Sequence, residues 1–360
     1  MTVPESMRAV VLTGHGDLDK LEYRSEFPTP NPGLGEVLIE VAACGMNNTD
    51  VNTRTGWYSK TVTTATGEDS TDSDVDGSWG GGLTFPRVQG ADIAGHIVAV
   101  GPGVDGDRVG ERVIVDGWLR DPDGILENAG YLGSERDGGY AEYATVPAIN
   151  AYPIDADVTD VELASFQCSY ATAEHMLHRA NVSEGQWVLV TGPSGGVGSG
   201  LVQLSKRRGA NVIALTSAHK TEDVKAIGAD VVLDRSAPDV AARVRDASNG
   251  GVDVFADVVG GDNFAPLFEM IRRGGHYTTA GAIAGPIVPL DLRTLYLHDI
   301  TMHGCTVLPP AVFADLVGYI VRGEVKPVVA ATYPLERLRE AQEAFVQKQH
   351  VGAFVIEVSQ

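Results

Sequence analysis

The sequence predicts an α/β fold in two parts, a β-rich N-terminal domain followed by a doubly wound parallel sheet. Three observations predict it. Residues 7 to about 150 carry short valine-rich runs such as "MRAVVLTGHG", "EVLIEVAAC", "ADIAGHIVAVG" and "GERVIVDGW", punctuated by Gly-Pro, Pro-Gly and Asp-Gly turns. Beyond about residue 186, apolar strands alternate with helical stretches of ten or so residues. At the start of that alternation, "VLVTGPSGGVGSGLVQLSKRRGA" joins a strand to an amphipathic helix through a glycine-dense turn.

In order along the chain, residues 1–158 form the β-rich domain, interrupted by a low-complexity acidic loop at 61–84. In that loop Asp72, Asp74, Asp76 and Gly77 match the opening of a calcium loop. Leu83 stands where the bidentate glutamate is required and no helices flank it, so a solvated loop is the better reading. Residues 159–180 read as helical, with Thr159 as N-cap and Glu162 completing a capping box. The second domain, 159–300, then runs through strands "QWVLVTG", "NVIALTS", "VVLD", "VDVFADVV" and "GHYTTAG". Helices "GSGLVQLSKRRGA", "KTEDVKAIGA", "PDVAARVRDAS" and "NFAPLFEMIRRG" lie between them. The segment 301–360, with a helix near 311–322 and the strand "GAFVIEV", is expected to rejoin the first domain or to extend the sheet.

Composition excludes several classes. With 48 acidic and 27 basic residues the formal charge is −21, which repels nucleic-acid phosphate and anionic membrane. A salt-rich cytoplasm and an ordinary acidic soluble enzyme account for it equally well. Cys44, Cys168 and Cys305 lie far apart with no C-x-x-C, which suits a reducing compartment. No apolar run approaches a membrane span, and the expected location is the cytoplasm.

The glycine turn is the most informative segment. Gly192, Gly195, Gly196 and Gly198, with Ser194 and Val197 between them, let a dinucleotide pyrophosphate approach the backbone at a helix N-terminus. The second strand ends in "IALTSAHK", with no acid from Ile213 to Lys220 to meet a ribose 2′-OH. Thr216 and Ser217 would not repel a 2′-phosphate, and Lys220 can pair with one or be a solvated helix-start lysine. NADP(H) is therefore the expected cofactor.

A second polar cluster follows the strand "EVLIEVAAC". In "CGMNNTDVNTRTGWYSK", Asn47 offers an amide, Tyr58 a phenol, Arg54 a permanent charge and Asp50 a carboxylate. Asp50 is expected to brace the loop. Asn47 and Tyr58 are either site groups or, respectively, a turn residue and a rim aromatic.

The order of elements, with "GMNNTDVNTRTGWY", "PRVQGADIAGHIVAVG", "GGYAEYATVP", "SGGVGSGLVQLSK" and "DLRTLYLHDITMHG", resembles the medium-chain dehydrogenase/reductase superfamily. Within it the chain resembles the zinc-independent quinone oxidoreductase (zeta-crystallin-like) branch. The resemblance implies a GroES-like catalytic domain and a Rossmann domain. It also implies that the three catalytic-zinc positions of the zinc branch fall on Asn47, Ala91 and Cys168, which cannot make a zinc site. His175 and His178 read as ordinary helix residues. The implied chemistry is hydride addition to a C=C–C=O system, with Asn47, Arg54 and Tyr58 facing the developing enolate. Tyr58 is similar to the tyrosine in the G-x-Y-P-S-K stretch of enoyl-thioester reductases, although the proline is absent here. Val259 and Gly281 would line the nicotinamide through backbone groups, and Arg293 would reach substrate, cofactor or a subunit contact. "HDITMHGCTV" resembles the edge strand by which the family forms homodimers. The expected activity is NADPH-dependent reduction of a small-molecule quinone or activated C=C bond. A zinc-free carbonyl reductase or alcohol dehydrogenase, and a non-catalytic NADP-binding protein, are the alternatives.

Overall fold

The computed structural model describes residues 3–67 and 83–359. The Asp72, Asp74, Asp76 and Gly77 run therefore lies outside the described residues, as does most of loop 61–84. The first half holds β1 (Ser6–Leu12), β2 (Leu21–Pro28), β3 (Glu36–Met46), α1 (Asn48–Thr55), β4 (Arg87–Val88) and β5 (Asp92–Val100). It continues with β6 (Arg112–Val115), β7 (Trp118–Leu119), β8 (Gly130–Tyr131), β9 (Tyr143–Pro147) and β10 (Ala151–Pro153). Next come α2 (Asp160–Leu163), α3 (Gln167–Arg179), β11 (Trp187–Thr191), α4 (Gly196–Arg207), β12 (Asn211–Thr216), α5 (Thr221–Ile227) and β13 (Val231–Asp234). The chain then runs through α6 (Val240–Ala247), β14 (Val252–Asp257), α7 (Phe264–Phe268), β15 (Ile271–Thr279), α8 (Leu292–Leu297) and β16 (Thr301–Gly304). It closes with α9 (Pro310–Val321), β17 (Val329–Pro334), α10 (Leu338–Val346) and β18 (Ala353–Glu357).

The second sheet has the order β13-β12-β11-β14-β15-β16, with every pair parallel. Its central strands β12, β11 and β14 are buried on both faces, as their continuous apolar runs require. Alternation divides them: Val188 and Val190 of β11 face the core shared with α3 and α4, whereas Leu189 faces a second core with Phe255 and Phe264. In the first half, β3 is nearly all buried because it pairs with β5, β9 and β18.

The structure corrects two expectations. The helical stretch 159–180 is two helices, α2 and α3, although Thr159 and Glu162 do form the capping box. The helix read in "NFAPLFEMIRRG" stops at Phe268, because Ile271 pairs with Val252 and starts β15. Strand pairing overrides helix propensity there. The segment 301–360 is divided: β16 extends the parallel sheet, whereas β17 and β18 return to the first, β18 lying antiparallel to β3. Among the described residues, no helix is long and apolar enough to cross a membrane.

Candidate active site

Strand β3 ends at Met46 and α1 begins two residues later, an element the sequence reading did not foresee. Asn47 is its N-cap, with extended backbone at φ −130°. Asp50 braces the start. Its Oδ2 accepts the Asn47 N–H at 2.8 Å and the Tyr140 O–H at 3.0 Å, and its Oδ1 accepts the Gly90 N–H at 3.2 Å. Gly56 ends the helix in the left-handed conformation, φ 71°, where a side chain would be strained. Every residue from Asp50 to Thr55 is buried, so this polar helix is held by hydrogen bonds rather than by an apolar stripe.

The Asn47 side chain joins three elements. Its Nδ2 donates to Asp92 Oδ2 at the head of β5, at 3.0 Å. Its Oδ1 accepts from Ser169 Oγ of α3 at 3.1 Å. The other Asp92 oxygen accepts the Cys168 N–H at 3.0 Å. Burial raises the Asp92 carboxyl to about 7, against the Asn47 and Cys168 hydrogen bonds that favour its charge. Burial likewise raises Asp50 to about 6.

Tyr58 hydrogen-bonds with Thr49 and Asn52 and stands near Cys168 and Asp50. Burial pushes its phenol up to about 12, so it stays a protonated donor near neutral pH. Burial, with Asp92 next in weight, pushes the Cys168 thiol far above its usual range, and Tyr131 and Thr172 hydrogen-bond to it. Asn47, Asp50 and Tyr58 thus gather around Cys168, Asp92 and Tyr131. Sequence reasoning passed over Asp92 and Tyr131. Asp92 follows Ala91 without a local signal of its own, and Tyr131 belongs to no recognisable pattern.

Arg54 is placed differently from its expected role. Its buried guanidinium donates from Nε to Gln342 Oε1 at 3.0 Å and from Nη1 to Gly16 O at 2.6 Å, tying α1 to α10 and to the turn after β1. A zinc ion does not fit these residues. The amide of Asn47 is held between Asp92 and Ser169 and Ala91 has no side-chain donor, which leaves Cys168 alone among the three positions, and one thiolate does not make a zinc site. Among the described residues, no group of three or more His, Cys, Asp or Glu is arranged to hold a metal. His175 is buried in α3, and burial lowers it to about 4.

The glycine turn leads from β11 into α4, whose N-cap is Gly195. A methyl group on Gly196 would collide with Ser169 Oγ, and one on Gly198 with Gly192 O, so these two glycines serve close packing. A methyl on Gly195 would meet only Gly192 O, at 3.6 Å, so this glycine faces open space. The first-turn N–H groups, from Gly196, Val197 and Gly198, have no intrahelical acceptor. These features fit a pyrophosphate.

Thr216 is buried at the end of β12, and the Ser217 carbonyl accepts the Lys220 N–H at 3.0 Å. Lys220 is not a solvated lysine: it is 6% exposed, and its Nζ donates to Lys348 O at 2.6 Å, His350 O at 2.9 Å and Ser194 Oγ at 3.4 Å. Lys348 donates to Asn48 Oδ1 at 2.7 Å. Burial and the Lys220 charge lower it to about 7. Burial, and then the charge of Arg235 beyond β13, lower Lys220, while Asp223 opposes them. Lys348 and Arg235 were also missed, because contacts between a C-terminal segment and a βα turn leave no local pattern.

The Val259 N–H goes to Asp257 Oδ1 at 2.9 Å and its carbonyl accepts the Ala284 N–H at 2.9 Å, which leaves one carbonyl lone pair to offer. Its side chain lines the turn, 3.2 Å from where a Gly192 methyl would stand. Gly281 O accepts from Thr279 Oγ1 at 3.1 Å. Arg293 is exposed and ion-paired with Asp291 at 2.6 Å.

Residues 33–156 match the model of the alcohol dehydrogenase GroES-like domain, and residues 196–322 that of the zinc-binding dehydrogenase family. The acryloyl-coenzyme A reductase of Metallosphaera sedula is 28% identical over 97% of this chain and 99% of its own. A solved structure from Sinorhizobium meliloti 1021, provisionally assigned as an alcohol dehydrogenase, is 47% identical, with a TM-score of 0.91 over 99% of this chain and 98% of that one. A thermostable alcohol dehydrogenase of Pyrobaculum aerophilum, solved with cobalt and zinc, is 33% identical with a TM-score of 0.82, covering 98% of this chain and 99% of its own.

Proposed function

As a member of the medium-chain dehydrogenase/reductase superfamily, in its quinone oxidoreductase-like branch, the chain is an oxidoreductase, and we propose that it reduces activated C=C bonds or quinones with NADPH. The observation that carries this reading is the shared hydroxyl. Ser169 Oγ bonds to Asn47 and also sits against Gly196 of the glycine turn, so the amide site and the cofactor turn are immediate neighbours. Bound at that turn, NADPH would supply a hydride and be released as NADP⁺. A hydride added to the β-carbon of an enone would move the C=C π pair toward the carbonyl and place negative charge on its oxygen. Asn47 and Tyr58 donate hydrogen bonds to that oxygen, each worth a few kcal/mol in a site shielded from water. The α-carbon then takes a proton, with Tyr58 as the donor and solvent replenishing it.

Lys220, Lys348 and Arg235 support NADPH over NADH. Three cations converge near the end of β12, where the NAD-type carboxylate is missing. The exposed edge of β16, beside exposed Leu292, Tyr296 and Leu297, supports a homodimer paired through that strand. The acryloyl-coenzyme A reductase of M. sedula supports an enoyl-type substrate.

The test uses NADPH deuterated at C4 on the transferred face, with but-3-en-2-one as acceptor. Deuterium on the β-carbon of the product is expected. Deuterium on the carbonyl carbon would replace this reading with that of a zinc-free carbonyl reductase.

A further inference from the structure

A carboxamide can flip, and the two orientations present opposite chemistry: one shows a substrate carbonyl an N–H, the other a lone pair. Asn47 therefore needs something that distinguishes its two ends. Ser169 alone does not, because a hydroxyl rotates and would accept from Nδ2 as readily as it donates to Oδ1. Asp92 does. Its Oδ1 is held by the Cys168 N–H at 3.0 Å, and where the carboxyl is ionised Oδ2 can only accept, so Nδ2 is drawn to it at 3.0 Å. Oδ1 is then left to the Ser169 hydroxyl at 3.1 Å. That hydroxyl is in turn boxed in, since even a methyl on Gly196 would collide with it. One Nδ2 hydrogen is taken by Asp92, and the second remains for a ligand.

We infer that Asp92 and Ser169 are positioning residues that fix the Asn47 carboxamide so that its second N–H, and not its oxygen, meets the substrate carbonyl. The inference rests on the conjugate-reduction reading above. A flipped amide would set its oxygen lone pairs against the developing negative charge and remove the stabilisation that Asn47 provides.

The experiment compares D92N, S169A and N47A with the combinations D92N/N47A and S169A/N47A. The assay uses NADPH and but-3-en-2-one at pH 8, above the value of about 7 to which burial raises Asp92. Melting temperature and NADPH affinity by fluorescence titration are measured alongside. An asparagine at 92 offers donor and acceptor alike, so the amide pair can flip together. D92N is expected to lower kcat by about 10²-fold, with KM and NADPH affinity within about twofold. In the N47A background the same change is expected to alter kcat by less than about twofold, because Asp92 acts through Asn47. An unchanged kcat in D92N overturns the inference, as does an equal loss with and without Asn47. If D92N shows no cooperative melt, the parent decides at saturating NADPH: a kcat that falls several-fold from pH 8 to pH 6, as Asp92 gains a proton it can donate, and that stays flat in N47A supports the inference, and a parent profile no steeper than that of N47A overturns it. If N47A itself retains full kcat, the conjugate-reduction reading fails and the inference with it. If N47A is impaired while folded D92N and S169A are not, only the inference fails.

Discussion

The Lys220 ammonium donates to the Lys348 carbonyl at 2.6 Å, so two lysines from different parts of the chain are locked together beside the glycine turn. Their charges are close enough for Lys220 to add to burial in lowering Lys348 to about 7. A bound phosphate favours the charged form of Lys348. Its contribution is therefore present below about pH 7 and weakens as the pH rises through that value. The expected outcome for K348Q is about tenfold weaker NADPH binding at pH 6, a smaller loss for NADH, and a flatter pH dependence than the parent. Fluorescence titration from pH 6 to pH 8.5 checks it.

The glycines of the turn separate by purpose. G195A has room in the folded chain, with its methyl 3.6 Å from the nearest atom, Gly192 O. It is expected to melt within about 2 °C of the parent yet bind NADPH at least about tenfold more weakly, because its methyl stands where the pyrophosphate approaches. G198A meets backbone at once and is expected to lose about 1–3 kcal/mol of stability. Melting curves with and without NADPH distinguish the two.

Removing one hydroxyl tests Tyr58. Y58F is expected to lower kcat by about 10²-fold while NADPH affinity stays within twofold. Burial pushes the phenol up to about 12, so it stays protonated throughout the assay range. The pH profiles of kcat for parent and variant should accordingly keep the same shape between pH 6 and pH 9, and a limb lost in Y58F would contradict this.

His175 governs part of the acid stability. Its imidazole is buried in α3, and burial with nearby Arg179 and His178 lowers it to about 4. The unfolded chain binds that proton near pH 6.5, so the stability from neutral His175 is present above 6.5 and lost as the pH falls through 4. H175Q is expected to flatten the decline in stability between those values, measured by urea unfolding at half-unit pH steps.

Edge pairing is checked at Met302. It is 41% exposed on β16, and a charge there should prevent sheet-to-sheet pairing without touching the core. Light scattering is expected to give a dimer mass for the parent and a monomer mass for M302R, with unchanged melting of the monomer fold.

Much of this was legible in sequence because its signals are local. The β11–α4 turn announces itself through glycines that must sit within a few residues of one another, and period-two runs mark strands wherever they pair. Asn47, Asp50 and Tyr58 were visible because polar groups crowded one strand end. Helix α1 was not, since its stability comes from tertiary partners such as Tyr140 and Gly90 rather than from an apolar stripe. Arg54 was expected at the site from its charge and from the segment shared with the resembling family, and its contacts with Gln342 and Gly16, which tie α1 to distant elements, carry no local signal.

The sequence by itself determined the fold class, the glycine turn and the loss of the zinc donors, because each depends on residue type at short spacing. The tertiary structure decided which way Asn47 faces, what Lys220 touches and that Asp92 belongs to the site. Those depend on groups 45 to 130 positions apart, brought to 2.6–3.1 Å by packing that no local pattern encodes.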